Sequence, residues 1–421
     1  MSLLVQRVAC LAFVFSAAAM GGVSLLGDGT RGTIYIAGHL LMSICMLVAW
    51  RMGRVQLDLR WVVAAGVLAR VAVLMVPPFT THDVMRYLWD GQQLLHGVDP
   101  YLFAPASAPP LDARWAFPDD NASFPTIYPP LAVVLHALCA ASGPLLATWA
   151  WKLLTTAVSL ALLFAGDRLL DAHGARRHLA LLALSPLAVL EAGVGAHIDV
   201  TAALGLCLAL LALSRGRDGR AGCWLGVAVL LKLTPAVLLA PLALGLERAR
   251  AGRVVLGCLL VIVAGYGLAL ASGLRPLGNL IVFFAKWRFG SPLYVPLDAL
   301  LKDVSLAPVL APLGVILLVA VAVHARRQGA LVDGLRRSLC LPFVLSPVVF
   351  PWYLLVLAPV VALRPSAVTL GWMLTLPLSY EVIDTFERTG SWQPAAWPLV
   401  VIAVGWAVGL AIDLRQRADW R

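Results

Sequence analysis

Repeated long apolar runs constrain this chain more than any other feature. They lie at about 8–26, 33–50, 61–78, 146–165, 179–192, 198–213, 254–272, 306–324, 367–382 and 396–413. About 20 apolar residues of helix cross a bilayer, and a helix satisfies its own backbone hydrogen bonds there. The chain is 61% hydrophobic and only 13% charged, whereas soluble domains carry about 25% charged residues. A water-soluble fold is therefore excluded. The expected fold is an all-α integral membrane protein, with one transmembrane domain over residues 1–421. The first run, 8–26, is long for a secretory signal and is read as an uncleaved first span.

The formal net charge of +10 does not point to nucleic acid, because the arginines form short clusters between apolar runs rather than one basic stripe. Clusters fall at Arg51/Arg54/Arg60, Arg168/Arg176/Arg177, Arg215/Arg217/Arg220, Arg248/Arg250/Arg253, Arg326/Arg327/Arg336/Arg337 and Arg415/Arg417/Arg421. Basic loops stay in the cytoplasm, so all are assigned there. Parity then requires that Pro129 to Ser142, too short to span, be a juxtamembrane or re-entrant piece. Cys223 to Leu244, between two basic clusters, must enter and return, with a break at Lys232-Leu-Thr-Pro235. Ser338–Val349 and Trp352–Leu363 are expected as a short pair turning at Ser346–Pro351. The reading is a polytopic bundle of about 12 crossings plus a re-entrant hairpin, both termini inside. Residues 79–128 and 273–305 become the first and second extracytoplasmic loops. The seven cysteines all fall inside apolar runs, without metal spacing or a paired framework, and read as small buried hydrophobes.

The first outer loop carries the richest chemistry. Thr81 to His96, stopped by Gly97, reads as one juxtamembrane helix. Val84, Tyr87, Leu88, Gly91, Leu94 and Leu95 form its apolar stripe, and Asp83, Arg86, Asp90 and Gln93 its polar stripe. The bland reading of that polar stripe is a solvated face. Asp83 is singled out because it starts the helix directly beneath a span. Elsewhere Glu191 and Ala196-His-Ile-Asp199 share one outer turn, Lys152 lies inside a span, Lys232 sits at a break, and Lys286-Trp-Arg288 lies among aromatics. Ionisable groups at such depth need partners; for Lys152 the structural alternative is an ion pair with Glu191 or Asp199. His82, Asp83, His197 and Asp199 offer metal-ligating side chains, but without a specific spacing; no cofactor is assigned, a divalent metal being the alternative. Cations that grip phosphate, a carboxylate that accepts a proton and aromatics that stack on sugar suit sugar transfer from a lipid phosphate to a hydroxyl.

The string Asp83-Val-Met-Arg-Tyr-Leu-Trp-Asp-Gly91, with Gly97-Val-Asp-Pro-Tyr101 and Tyr128-Pro-Pro130, resembles polyprenyl-phosphate-dependent mannosyltransferases of the GT-C superfamily. The resemblance is to bacterial glycosyltransferase 87-type enzymes, a group that includes phosphatidylinositol-mannoside mannosyltransferase. Glu191 with Gly195–Asp199, Lys232-Leu-Thr-Pro235, Trp287-Arg-Phe289 and Pro351-Trp-Tyr353 extend it over about residues 61–365. It implies an extracytoplasmic cavity, a polyprenyl-phosphate sugar donor, usually mannose, and an inverting transfer to a lipid or glycan hydroxyl in the bacterial plasma membrane. The family's aspartate base maps onto Asp83. Donor phosphate would fall to Lys232, Lys286, Arg288 and Arg86, and substrate contacts to His82, Tyr87, Asp90, Tyr128, Glu191, His197, Asp199, Trp287, Trp352 and Tyr353. Relatives often have histidine before Pro-Trp-Tyr, where this chain has Phe350; His82 or His197 would then substitute. Membrane lipid is the expected surrounding partner and nucleic acid is not expected. The alternative activity is a flippase for a lipid-linked saccharide, since broken helices also build transporter sites, although no internal repeat supports it.

Overall fold

The computed structural model of the chain describes every residue except 24, 26–28, 110–113, 120–121, 277–283, 286, 302–304 and 419–421. About 75% of the chain is helical. In order come α1 (Ser2–Val23), α2 (Arg31–Gly53), α3 (Leu59–Ala72), α4 (Asp83–Leu95), α5 (Pro130–Ala140), α6 (Ala147–Ala172), α7 (Ala180–Ala183), α8 (Pro186–Gly193), α9 (Asp199–Ser214) and α10 (Asp218–Leu231). They are followed by α11 (Leu239–Gly245), α12 (Arg248–Ala271), α13 (Tyr294–Leu300), α14 (Ala307–Arg327), α15 (Leu331–Leu345), α16 (Ala358–Leu363), α17 (Ala367–Thr375), α18 (Glu381–Thr389) and α19 (Trp397–Ala418).

Among the described residues, six helices are long and apolar enough to cross a membrane: α1, α2, α6, α12, α14 and α19. Their outward faces are apolar. Leu256, Leu259, Leu260, Val263 and Leu268 stand exposed on α12, and Val309, Val315, Ile316 and Val319 on α14. In water such continuous apolar surface would drive aggregation; against lipid tails it is the expected contact.

Lipid removes most of the hydrophobic drive for helices to associate, so close packing must hold them together. The seam between α10 and α12 shows how. Gly222 and Gly226, four residues apart, let the backbones approach until a Cβ at Gly222 would lie 2.1 Å from the Val254 carbonyl oxygen. Gly257 reciprocates, a Cβ there lying 2.5 Å from the carbonyl of Gly219. At the basic end of this seam, buried Asp218 receives Arg250 at 2.9 Å and Arg253 at 2.7 Å. The hydrogen bonds from Arg250 and Arg253 hold its carboxyl below the ordinary carboxylate range.

Several expected runs are interrupted. The span expected over 179–192 is two short helices, because Ser185-Pro186 breaks it and Ser185 caps α8 through the Ala188 amide. The carbonyls this break frees are taken by Arg70, a fully buried arginine on α3. Its guanidinium donates to Ala183 at 2.7 Å, Gly66 at 2.8 Å and the Ser159 hydroxyl at 2.8 Å. The expected 367–382 run leaves α-helix at Leu376 and continues as a 3-10 turn, Leu376–Tyr380, with Pro377 in its first turn. The helix expected to begin at Ser338 starts earlier, at Leu331, because Asp333 and Arg336 pair at 3.0 Å in its first turns. Lys152 makes no ion pair with Glu191 or Asp199; its buried ammonium donates to the carbonyls of Val76 and Gly193.

Both proline-marked breaks are present. α10 stops at Leu231, Lys232 is extended, and a 3-10 segment, Thr234–Leu238, follows. α15 stops at Leu345, and a 3-10 segment, Pro351–Leu357, follows extended residues 346–350. Those residues pair in parallel with Phe289: the Phe289 amide donates to Pro347 at 3.0 Å and the Val349 amide to Phe289 at 2.7 Å. Trp287-Arg-Phe289 and Pro351-Trp-Tyr353 are thus joined through backbone.

Gly222→Ala should destabilise the protein by about 1–3 kcal/mol, the usual cost of overpacking a tight contact. A lower midpoint of thermal unfolding in detergent is the expected reading. An unchanged midpoint would show that the α10–α12 seam is not close-packed there.

Candidate active site

Asp83 is the first residue of α4, and the helix places Tyr87 one turn later on the same face. The Tyr87 hydroxyl donates to Asp83 Oδ2 at 3.3 Å, and the Tyr128 hydroxyl reaches Tyr87 at 3.4 Å. α5 is short because Pro129-Pro130 opens it and Gly143 follows its end. It lies so close to α4 that a Cβ at Gly91 would fall 2.5 Å from the His136 carbonyl oxygen. His136 stacks flat on Tyr87 at 4.7 Å and fixes that ring.

The polar stripe of α4 is not solvated. Asp90 and Gln93 are completely buried and Arg86 nearly so, whereas Leu95 is exposed. Two segments folded over α4, including Thr126 and Phe103, close what an isolated helix would show to water. Arg86 and Asp90 pair at 2.7 Å. Burial pushes the Asp90 carboxyl above its ordinary value, and the Arg86 charge opposes that shift.

Asp83 lines a cavity of about 300 Å³ with Thr81, His82, Arg86 and Tyr128. Its other walls are aromatic: Phe124, Trp287, Phe350, Trp352, Tyr353, Phe386 and Trp392. Phe350 lies parallel to Trp352 at 4.4 Å, and Trp352 parallel to His197 at 3.8 Å. Such faces match the apolar side of a sugar ring, while the few polar groups supply direction.

Behind this wall lies a chain of buried titratable groups. His197 sits 3.5 Å from Asp83 Oδ2 through Nδ1 and 3.4 Å from Glu191 Oε2 through Nε2. Glu191 also accepts from Tyr380 at 2.8 Å and Tyr35 at 3.2 Å. Lys232 reaches Asp199 at 3.0 Å and lies over the rings of Tyr353 at 4.4 Å and Tyr128 at 5.6 Å. A cation held on aromatic faces beside one carboxylate can turn to an incoming phosphate without crossing lipid.

The structure thus gathers Asp83, His82, Arg86, Tyr128, Trp287, Trp352 and Tyr353 on one cavity, with Tyr87, Glu191, His197, Asp199 and Lys232 behind it. Asp90 lies under Arg86, away from the cavity lining. Arg288 turns instead to Asp298 at 2.9 Å and over the Tyr294 ring at 5.0 Å. Lys286 lies outside the described residues. Of the two histidines weighed against Phe350, His82 lines the cavity and His197 is buried behind it. Among the described residues, His82, Asp83, His197 and Asp199 do not gather into a metal-binding group.

Sequence reasoning missed Tyr35 and Tyr380, whose hydroxyls hold Glu191; a polar hydroxyl inside an apolar run was the available signal. It also missed Phe124, Phe386 and Trp392, for which no local spacing gave a sign.

A model of the alpha-(1->6)-mannopyranosyltransferase family, N-terminal domain, matches residues 14–250. That span contains Asp83, Glu191, His197, Asp199 and Lys232. No curated protein and no solved structure matches the chain. With its membrane-length apolar helices and more than half of its length matched, the chain belongs to the alpha-(1->6)-mannopyranosyltransferase family, as a GT-C-type mannosyltransferase.

Proposed function

We propose that this protein moves mannose from a polyprenyl-phosphate donor to a hydroxyl of a lipid or glycan acceptor, with inversion, on the extracytoplasmic face of a bacterial plasma membrane. The observation that carries this reading is the juxtaposition of Asp83, on an aromatic cavity, with Lys232, held beside it on Tyr128 and Tyr353. The cavity lies at the end of the bundle where Asp384 accepts from the Gly32 amide, opposite the end where Arg7 meets Asp58. Basic loops face the cytoplasm, so the cavity opens outward. In this topology the chain forms one domain of about 12 crossings with a re-entrant segment at Lys232–Pro235 and both termini inside. As proposed, the transfer needs no cofactor, a divalent metal being the alternative.

In the transfer step, the acceptor oxygen attacks the anomeric carbon as its proton passes to Asp83. The bond from that carbon to the phosphate oxygen breaks, and its electron pair leaves on the phosphate. Lys232 and Arg86 stabilise the phosphate charge that develops. The aromatic walls hold the sugar and exclude water, which would otherwise compete as acceptor.

Asp83→Asn, reconstituted in vesicles with a synthetic polyprenyl-phosphate mannose, should lower kcat by about 10²–10⁴-fold, the usual contribution of a general base. Retained transfer would remove Asp83 from the chemistry. Movement of the sugar across the wild-type vesicle without a new glycosidic bond would replace the transferase with a flippase.

Lysine 232 is best tested with its partner, because its removal alone leaves Asp199 buried and unpaired. The double variant Lys232→Gln/Asp199→Asn should raise the donor KM about tenfold, equivalent to about 1.4 kcal/mol of lost phosphate binding, with the acceptor KM little changed. An unaltered donor KM would exclude Lys232 as the phosphate ligand.

A further inference from the structure

The turn between α8 and α9 is built at a cost that its packing role does not explain. Ala196 sits at φ +51°, in the left-handed region that residues with a Cβ avoid. Gly195 has no room for a side chain, since a Cβ there would lie 2.6 Å from the His197 ring and 3.0 Å from Glu191 Oε2. The Trp151 indole donates to the Ala196 carbonyl at 2.7 Å and locks the turn. The product of this local strain is one fully buried imidazole. Its two nitrogens have no hydrogen-bond partner and instead face carboxylates on two different helices, at 3.5 and 3.4 Å. Trp352 stacks on the ring at 3.8 Å and holds its plane. Strain held at one residue in this way marks a functional constraint.

We propose that His197 is the positioning residue for Asp83, an imidazolium clamped between Asp83 and Glu191 that holds the base and sets the pH range over which it works. The inference rests on Asp83 being the base. Asp83 Oδ2 accepts from Tyr87 and faces His197 at 3.5 Å, and Oδ1 is the oxygen offered to the acceptor hydroxyl. The buried Glu191 carboxyl, fixed by Tyr35 and Tyr380, faces the other ring nitrogen of His197. The other groups facing this pair are Asp199, itself neutralised by Lys232, and the hydroxyls of Tyr87, Tyr128 and Tyr353. His82 and Arg86 share the cavity with Asp83. His197 exchanges no proton with substrate. A cation at 3.5 Å stabilises the carboxylate form of its neighbour.

Replacing His197 by glutamine removes a cation beside Asp83, so protonated Asp83 becomes relatively more favoured and the acid limb of the kcat/KM profile should move to higher pH. A shift of about one unit corresponds to a tenfold loss on the acid side of the profile, with recovery towards wild-type activity as pH rises. His197→Lys, which keeps the charge, should return the limb towards its wild-type position. A uniform loss at every pH, with the limb in place, would reduce His197 to a packing residue and overturn the proposal. If His197→Gln does not accumulate in the membrane, His197→Asn carries the same expectation. Asp83→Asn, assayed in parallel, separates the two readings. Inactivity there with no limb shift in His197→Gln rejects the clamp alone, whereas retained activity in Asp83→Asn rejects both the base and its clamp.

Discussion

Inside a bilayer, a charged side chain or a broken helical turn finds no water, and the protein itself must satisfy it. The architecture around the cavity follows from that constraint. The break at Ser185-Pro186 and the turn after α8 release carbonyls that would be costly in lipid. Arg70 closes the first set and Lys152 the second, each fully buried and each bonded to backbone rather than to a carboxylate. Once those groups are satisfied, the chain can depart from regular helix where the chemistry needs it. The departure brings Glu191, His197 and Asp199 together behind Asp83, which a continuous span over 179–192 could not do.

The two halves of the chain contribute different things to the cavity. The segment within the family match carries the charged groups, from Asp83 through Lys232. The segment after it supplies most of the aromatic wall: Trp287, Phe350, Trp352, Tyr353, Phe386 and Trp392. The parallel pairing of Phe289 with Val348 ties two of those wall segments together. Gly290, at φ +61° and with a would-be Cβ 2.1 Å from the Val349 carbonyl oxygen, is the residue that permits so close an approach. The Phe350 ring extends the stack that ends on His197.

The membrane class and the proline-marked breaks were legible in the sequence because apolar length and helix-breaking residues act locally. The helix α4 was also placed within two residues, since Asp83 and Gly97 bracket it. Its polar face was misread as solvated, because what covers Asp90 and Gln93 comes from residues 103 and 126, an arrangement no helical period encodes. For Lys152 an ion pair with Glu191 or Asp199 was the structural alternative, and carbonyls freed by distant breaks take its ammonium instead. Tyr35 and Tyr380 meet at Glu191 from opposite ends of the sequence, and only the tertiary fold relates them. The motif residues Lys232 and Tyr353 were each visible in the sequence, but their stacking was not.

The central claim is that donor phosphate and base share one cavity at the end of the bundle away from the arginine clusters. An experimental structure with a non-transferable polyprenyl-phosphate mannose analogue tests it most directly. The account predicts phosphate density within ion-pair distance of Lys232, and the sugar ring against Phe350 and Trp352, with Asp83 beside its anomeric carbon. Density for the phosphate at the arginine-rich end, or on the far side of α4 from Asp83, would contradict it.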